Sequence, residues 1–150
     1  MARALIVYYT MFGNTEKVAK ALAAGLESGG VNVDVVKVEN SKLEDLRNVD
    51  LLCVGSPVQA WSPAKPIKEF LDRLKTVEGL KGKKAFAFDT KIKSRLAGSA
   101  GGKIESRLKQ LGLTIAKPSE SAIVKGREGP LEENAEEAFK QIGIELAKML

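Results

Sequence analysis

The chain has 150 residues, a formal net charge of +5, one cysteine and no histidine, and 44% of its residues are apolar. That length fits one domain, residues 1–150, with a core of its own, and the composition is that of a globular chain rather than a disordered or fibrous one. The missing histidine excludes Ser-His-Asp and Cys-His catalysis and most zinc and non-haem iron sites. A lone cysteine excludes an internal disulfide or a CxxC pair.

The elements read in chain order as strand and helix in alternation. Ala4-Leu5-Ile6-Val7-Tyr8-Tyr9 is a continuous apolar run, as a strand covered on both faces requires. Val18, Ala21, Leu22 and Gly25 follow at helical spacing, and Gly29-Gly30 ends that helix. Val31, Val33 and Val35 alternate with Asn32 and Asp34, which predicts a strand with one wet face at a sheet edge. Leu51 to Gly55 is again continuous and central, with Cys53 inside it as a buried core thiol. Pro66 suits the first turn of the next helix, whose apolar face is Ile67, Phe70, Leu71 and Leu74, with Gly79 beyond.

Ala85-Phe86-Ala87-Phe88 is the fourth strand, and a loop rich in Lys, Ser and Gly follows. Ile104, Leu108 and Leu111 mark a helix closed by Gly112. Thr114-Ile115-Ala116 opens a fifth strand, Pro118 to Ser121 interrupts it, and Ile123-Val124 resumes it. The last helix carries Ala135, Ala138, Phe139, Ile142, Leu146 and Met149 inward. No repeat, linker or low-complexity tract divides the chain.

Five strands alternating with helices predict an α/β fold, a parallel sheet with helices on both faces. No apolar run approaches the ~20 residues of a membrane helix. The first strand is too short for a secretory h-region, and Thr10 to Asn14 is not a small-residue cleavage site. The expectation is a mature cytoplasmic protein without a membrane span.

Ligands of such sheets bind beyond the carboxyl ends of the strands, where strand order reverses. The loops after strands one, three and four are therefore the places to search. The first reads Thr10-Met11-Phe12-Gly13-Asn14-Thr15 between strand and helix. It carries neither GxGxxG nor GxxxxGK[ST], which excludes the dinucleotide and P-loop readings. The acidic residues of a receiver domain are missing too, with Tyr9-Thr10 and Ser56-Pro57 in their places. What is present suits a phosphate: hydroxyls at Thr10 and Thr15, a glycine that admits close backbone approach, and amides at a helix start. A plain tight turn, with Asn14 or Thr15 as helix cap, is the other reading of the same residues.

The stretch Ile6-Val7-Tyr8-Tyr9-Thr10-Met11-Phe12-Gly13-Asn14-Thr15-Glu16-Lys17-Val18-Ala19-Lys20-Ala21-Leu22 resembles the flavodoxin signature over its whole length. Val54-Gly55-Ser56-Pro57-Val58 resembles that family's second flavin loop, and Gly129-Pro130-Leu131 followed by Glu132-Glu133 resembles the end of its short-chain members. The resemblance covers essentially the whole chain. It implies the doubly wound, three-layer flavodoxin-like fold, with five parallel strands in the order 2-1-3-4-5, and flavin mononucleotide (FMN) as cofactor. It places Thr10 to Thr15 around the FMN phosphate and Pro57, Val58, Gln59, Ala60 and Trp61 along the isoalloxazine ring. Asp89, Thr90, Lys91 and Gly98 fall in a third loop at the ring's polar edge. Trp61 matches the aromatic that stacks on the flavin in this family, where such contact adds ~1 kcal/mol beyond area burial. Packing of its loop against the next helix is the alternative role.

Three departures from the family pattern stand out. The segment Asp89 to Gly98 holds no aromatic, so the second ring face is open to a substrate or partner. The second loop lacks the glycine whose peptide often bonds the reduced flavin N5. The chain is basic where the family tends to be acidic, with Lys81, Lys83, Lys84, Lys91, Lys93, Arg95, Lys103, Arg107 and Lys109 opposed only by Asp89 and Glu105 in that stretch. One cation ~8 Å from an anionic reduced flavin gains about 2 kcal/mol at an effective dielectric of ~20. That is roughly 90 mV at ~2.3 kcal/mol per 100 mV, before salt screening. The charge predicts a milder reductant than acidic flavodoxins, and acidic redox partners such as a ferredoxin-like protein or a reductase. No recognition helix or aromatic-rich sheet face accompanies it, so nucleic acid is not expected.

Three functions fit these residues. The first is an FMN-dependent electron carrier. The second is a flavodoxin-fold oxidoreductase acting on a quinone or similar small acceptor through the open ring face. The third is a binding or regulatory module that kept the fold and lost the flavin.

Overall fold

The computed structural model describes residues 1–94 and 98–150, so Arg95 of the basic stretch lies outside the described residues. The alternation reads out as β1 (Arg3–Tyr8), α1 (Asn14–Ser28), β2 (Asn32–Lys37), β3 (Leu51–Gln59), β4 (Ser62–Pro63) and α2 (Lys65–Leu74). Then come β5 (Lys84–Ile92), α3 (Ala100–Gln110), β6 (Thr114–Ile115), β7 (Glu120–Val124) and α4 (Ala135–Ala147). Two short 3-10 turns, Val38–Asn40 and Leu43–Leu46, carry the chain from β2 to β3.

The sheet runs β2-β1-β3-β5, and β6 and β7 both pair in parallel with the far side of β5. With β6 and β7 as two pieces of the fifth strand, this is the expected order 2-1-3-4-5. β4 is an addition: it folds back antiparallel on the end of β3, pairing Val58 with Pro63 and Gln59 with Ser62.

The continuous apolar runs follow from burial on both faces. Ala4, Ile6 and Tyr8 of β1 face α1 and α4, together with Cys53, Phe86 and Phe88. Leu5 and Val7 face α2 and α3, together with Leu52, Val54, Ala85 and Ala87. Only the edge strand β2 alternates between exposed and partly buried positions, as its sequence pattern requires. Helices α1 and α4 cross in close contact at two glycines. A Cβ on Gly25 would stand 2.0 Å from the Lys140 carbonyl oxygen, and one on Gly143 2.3 Å from that of Leu22.

Three expectations need correction. The fourth strand does not end at Phe88 but continues to Ile92, so Asp89, Thr90 and Lys91 are strand residues. Pairing decides this: Asp89 and Thr90 lie between Ser56 and Pro57 of β3 and Ser121 and Ala122 of β7. The interruption in the fifth strand spans residues 116–119, since β7 begins at Glu120. There the Ser119 amide leaves the ladder and donates to Glu105 Oε1 at 2.9 Å. The inward face of α4 is Ala135, Phe139, Ile142, Gly143 and Leu146, while Ala138 and Met149 face outward.

Candidate cofactor site

Every strand but β4 points its carboxyl end the same way, so the loops after β1, β3, β5 and β7 meet at one edge of the sheet. The first of them is shaped by Gly13. Its φ of 91° caps α1, and no side chain caps the first turn. The reading of Asn14 or Thr15 as helix cap is thereby corrected: both lie inside the helix and face other partners. Thr10 Oγ1 accepts from the Gly13 amide at 2.9 Å and tightens the loop. Asn14 is buried and donates from Nδ2 to the Glu128 carbonyl at 3.1 Å, tying this loop to the one after β7. The buried Thr15 and Thr90 hydroxyls are 2.9 Å apart, linking the start of α1 to β5. A 15-residue helix thus begins with amides that no side chain caps. Such an end is suited to an anion with several acceptor oxygens. Glu16, the acid of this first turn, turns away and accepts from the Tyr8 hydroxyl at 2.7 Å. That bond holds the Glu16 carboxyl below the usual range, whereas burial above all raises the Tyr8 phenol.

The second wall comes from the β3–β4 hairpin. Its two tip residues, Ala60 and Trp61, have φ of 48° and 62°. Two successive positive φ values give the primed twist that a two-residue hairpin needs, at a conformational cost for residues other than glycine. Several contacts hold them there. The Trp61 carbonyl accepts from Lys103 Nζ at 2.7 Å, and Ser56 Oγ accepts from the Ala64 amide at 2.9 Å. Gly98 packs directly behind Trp61, where a Cβ would stand 2.9 Å from the indole Cδ1.

Between these walls lies a cavity of about 610 Å³. Thr10, Met11, Phe12, Asn14 and Thr15 line one end. Pro57, Val58, Gln59, Ala60 and Trp61 line one side, and Thr90, Lys91 and Ile92 another. Met11, Phe12, Trp61 and Ile92 stay exposed and make the mouth apolar. Among the described residues no acidic side chain lines it, and its cations are Lys91 and Arg127.

Twelve of the fifteen expected site residues therefore converge on one space. Gly13, Asp89 and Gly98 do not line it. Gly13 shapes the loop and Gly98 backs the indole, with its carbonyl 3.4 Å from Lys91 Nζ. Asp89 is sealed beneath α3, where its Oδ2 accepts from the Ala100 and Gly101 amides at 3.1 and 2.8 Å. It anchors the start of that helix. Ile92, Val124 and Arg127 line the cavity without having been expected. The last two follow from the fifth strand, which ends on the same edge as the other three. The basic stretch is not one patch either. Lys83 Nζ donates to the Val49 carbonyl at 2.8 Å and Lys84 to that of Met149, at the opposite end of the sheet.

The flavodoxin family profile matches residues 6–142. This chain belongs to the flavodoxin family. FMN is accordingly its cofactor, and the cavity meets the group's demands. It offers a neutral, hydroxyl-lined helix start for a phosphate and a largely apolar side beside it for a ring. The fold agrees with that of an archaeal flavodoxin at a TM-score of 0.83, with 24% identity and coverage of 98% of this chain and 97% of that one. It agrees with oxidised flavodoxin 1 from Bacillus cereus at 0.86, with 20% identity and 99% coverage of both chains. The two-electron reduced flavodoxin of Megasphaera elsdenii is 28% identical, with a TM-score of 0.77 and coverage of 97% and 98%.

Curated relatives carry the name NAD(P)H dehydrogenase (quinone). One from Caulobacter vibrioides is 31% identical over 92 residues, 48% of this chain and 46% of that protein. One from Archaeoglobus fulgidus is 29% identical over 116 residues, 59% of this chain and 61% of that protein. The chain thus spans about half to three-fifths of the length of these relatives. Among the described residues no helix is long and apolar enough to cross a membrane.

Proposed function

We propose that this flavodoxin is a cytoplasmic FMN-dependent electron carrier that docks acidic redox partners over the mouth of the cavity. The carrying observation is the cavity itself, with an uncapped, hydroxyl-lined α1 start at one end and an apolar rim at the other. In this reading Thr10, Asn14, Thr15 and the α1 amides hold the phosphate. Pro57 to Trp61 lie along the ring, Trp61 stacks on it, and Thr90 and Lys91 face its polar edge. FMN supplies the redox chemistry when bound, while the chain supplies binding, orientation and electrostatics. Lys91 and Arg127 put positive charge at the mouth, with no acid among the described lining residues. An acidic partner is drawn to such a surface, and its on-rate falls as salt rises.

The test is an absorption spectrum of the purified protein, then titration of the apoprotein with FMN and riboflavin. Tight FMN binding and much weaker riboflavin binding are expected, because riboflavin leaves the α1 end unfilled. Equal affinities would refute the phosphate assignment, and no binding of either would refute the carrier.

A second reading rests on the quinone dehydrogenases among the relatives and on the exposed Trp61 side of the mouth. There the same site passes electrons to a small quinone. Turnover of a nicotinamide donor and a quinone by this chain alone, without an added reductase, would favour it over the carrier.

A further inference from the structure

Trp61 belongs to two cavities. Its other side closes a cleft of about 680 Å³ between the β3–β4 hairpin, α2 and α3. The walls are apolar where they meet the hairpin and α2, at Trp61, Pro63 and the buried Leu71. Lys68 from α2 and Lys103 and Arg107 from α3 stand around this floor, and among the described residues no acidic side chain lines the cleft. Lys103 is fixed by its 2.7 Å bond to the Trp61 carbonyl. Arg107 is steadied from outside the cleft by Asp72, at 2.5 Å. The Lys68 ammonium is exposed on α2, and the Ser62, Ser99 and Ser106 side chains add hydroxyls at the rim.

We propose that this second cleft binds a small aromatic carboxylate, its ring against Trp61, Pro63 and Leu71 and its carboxylate among Lys68, Lys103 and Arg107. The chemistry selects that class. A site of this volume takes a small organic molecule, and its apolar walls require an apolar body. Lysine and arginine stems cover apolar surface while their charged ends converge on an anion. Arg107 already has Asp72 as counter-ion, but a neutral aromatic would leave the Lys68 and Lys103 ammoniums without one, and a bare inorganic anion would leave the apolar floor wet. The site goes beyond the flavin reading and does not depend on it. Among the described residues the two cavities share only Trp61.

Trp61 is the one tryptophan of the chain and lines both cavities, so its emission reports on ligand in either, and bound FMN separates the two. The experiment titrates the protein, with and without bound FMN, against 2-naphthoate and the uncharged 2-naphthamide, by calorimetry and Trp61 emission. Naphthoate should bind both forms, and the amide about five-fold or more weakly, the factor expected for ~1 kcal/mol of partly exposed charge contact. Raising the salt should narrow that gap. Lys68→Gln with Arg107→Gln should bring naphthoate down to the affinity of the amide and leave FMN affinity unchanged. Ser106→Phe, at an exposed helix position, should block both ligands. No binding of naphthoate by either form up to ~10 mM, or equal binding of acid and amide, would overturn the proposal. Binding that survives the double substitution and is displaced by FMN would also overturn it, because the anion would then sit in the flavin cavity. A protein that binds naphthoate in this pattern but no FMN would lose the carrier reading and keep this one.

Discussion

Gly129→Ala should weaken FMN while leaving riboflavin alone, although residue 129 lies 115 positions from the loop it supports (129 minus 14). Gly129 has a φ of 109°, and a Cβ there would stand 2.8 Å from Asn14 Oδ1 and 2.9 Å from Nδ2. Asn14 is the first residue of α1, buried, and lines the cavity. Its Nδ2 bond to the Glu128 carbonyl is the contact that pins it. An alanine therefore strains the backbone and displaces the amide at once. The strain at such a φ is about 1–3 kcal/mol, and the lost hydrogen bond adds about 1 kcal/mol. Melting should fall by roughly 5–15 °C, at ~2–4 °C per kcal/mol for a domain of this size.

The ligand effect is separate. A hydrogen bond to a charged group is worth about 1.5–3 kcal/mol, so losing Asn14 from the phosphate end should weaken FMN roughly 10- to 100-fold. Quenching of flavin fluorescence on titration gives both affinities. Asn14→Ser removes the amide without straining residue 129. It should reproduce most of the FMN loss with a smaller change in melting. FMN and riboflavin weakened in equal proportion would place Asn14 at the ring rather than the phosphate. An unchanged FMN affinity in both variants would refute its role altogether.

Gly143→Ala puts a methyl 2.3 Å from the Leu22 carbonyl oxygen and 2.8 Å from the Leu26 nitrogen. It should cost about 3 kcal/mol by forcing α1 from α4, seen as a lower melting temperature, with FMN affinity of the folded protein retained. Trp61→Ala should weaken FMN and riboflavin alike, about five-fold for ~1 kcal/mol of stacking, and Trp61→Phe should recover most of it in the same titrations. Lys91→Gln with Arg127→Gln removes the two cations that line the cavity among the described residues. The potential of the bound flavin should fall by about 10–40 mV per charge, from ~0.2–1 kcal/mol for exposed charge contacts at ~2.3 kcal/mol per 100 mV. A rise in the potential, read in a dye-coupled redox titration, would reverse the assigned sign.

The interior was readable because burial on both faces leaves one pattern: an unbroken apolar run such as Leu51 to Val54 has no other home than a central strand. The first loop was readable as one wall of the cavity because hydroxyls and one glycine between a strand and a helix suit an anion. Asp89 was misplaced because its local sequence, polar after Phe88, looks like the end of a strand. Only pairing with both β3 and β7 keeps it in the sheet, and that pairing is set by residues more than thirty positions away in either direction. Arg127 was missed for a related reason. The fifth strand is broken in two, and nothing local in Thr114 to Val124 says that its second piece, β7, realigns with β5 and delivers residue 127 to the cavity. The backing of Trp61 by Gly98 joins segments 37 residues apart (98 minus 61) and leaves no periodic trace at all.

These differences divide along physical lines. Features fixed by the backbone persist across proteins only 20–28% identical to this one, whose folds agree at TM-scores of 0.77–0.86. The uncapped α1 start is a backbone feature: its donors are amides, which every residue but proline carries, so it makes little demand on the surrounding side chains. The mouth is of the opposite kind. The side chains of Met11, Phe12, Trp61, Ile92, Lys91 and Arg127 lie outside the buried core, so exchanging them disturbs the sheet less than exchanging a core residue would. Under the proposed function a partner would be recognised by those six side chains and the phosphate by the α1 end. In the proposed reading the basic character of this chain serves its dealings with partners rather than its grip on the cofactor. Substitutions at Lys91 and Arg127 should accordingly shift the potential and the salt dependence of electron transfer, and change FMN affinity far less than substitutions at Thr10 or Asn14.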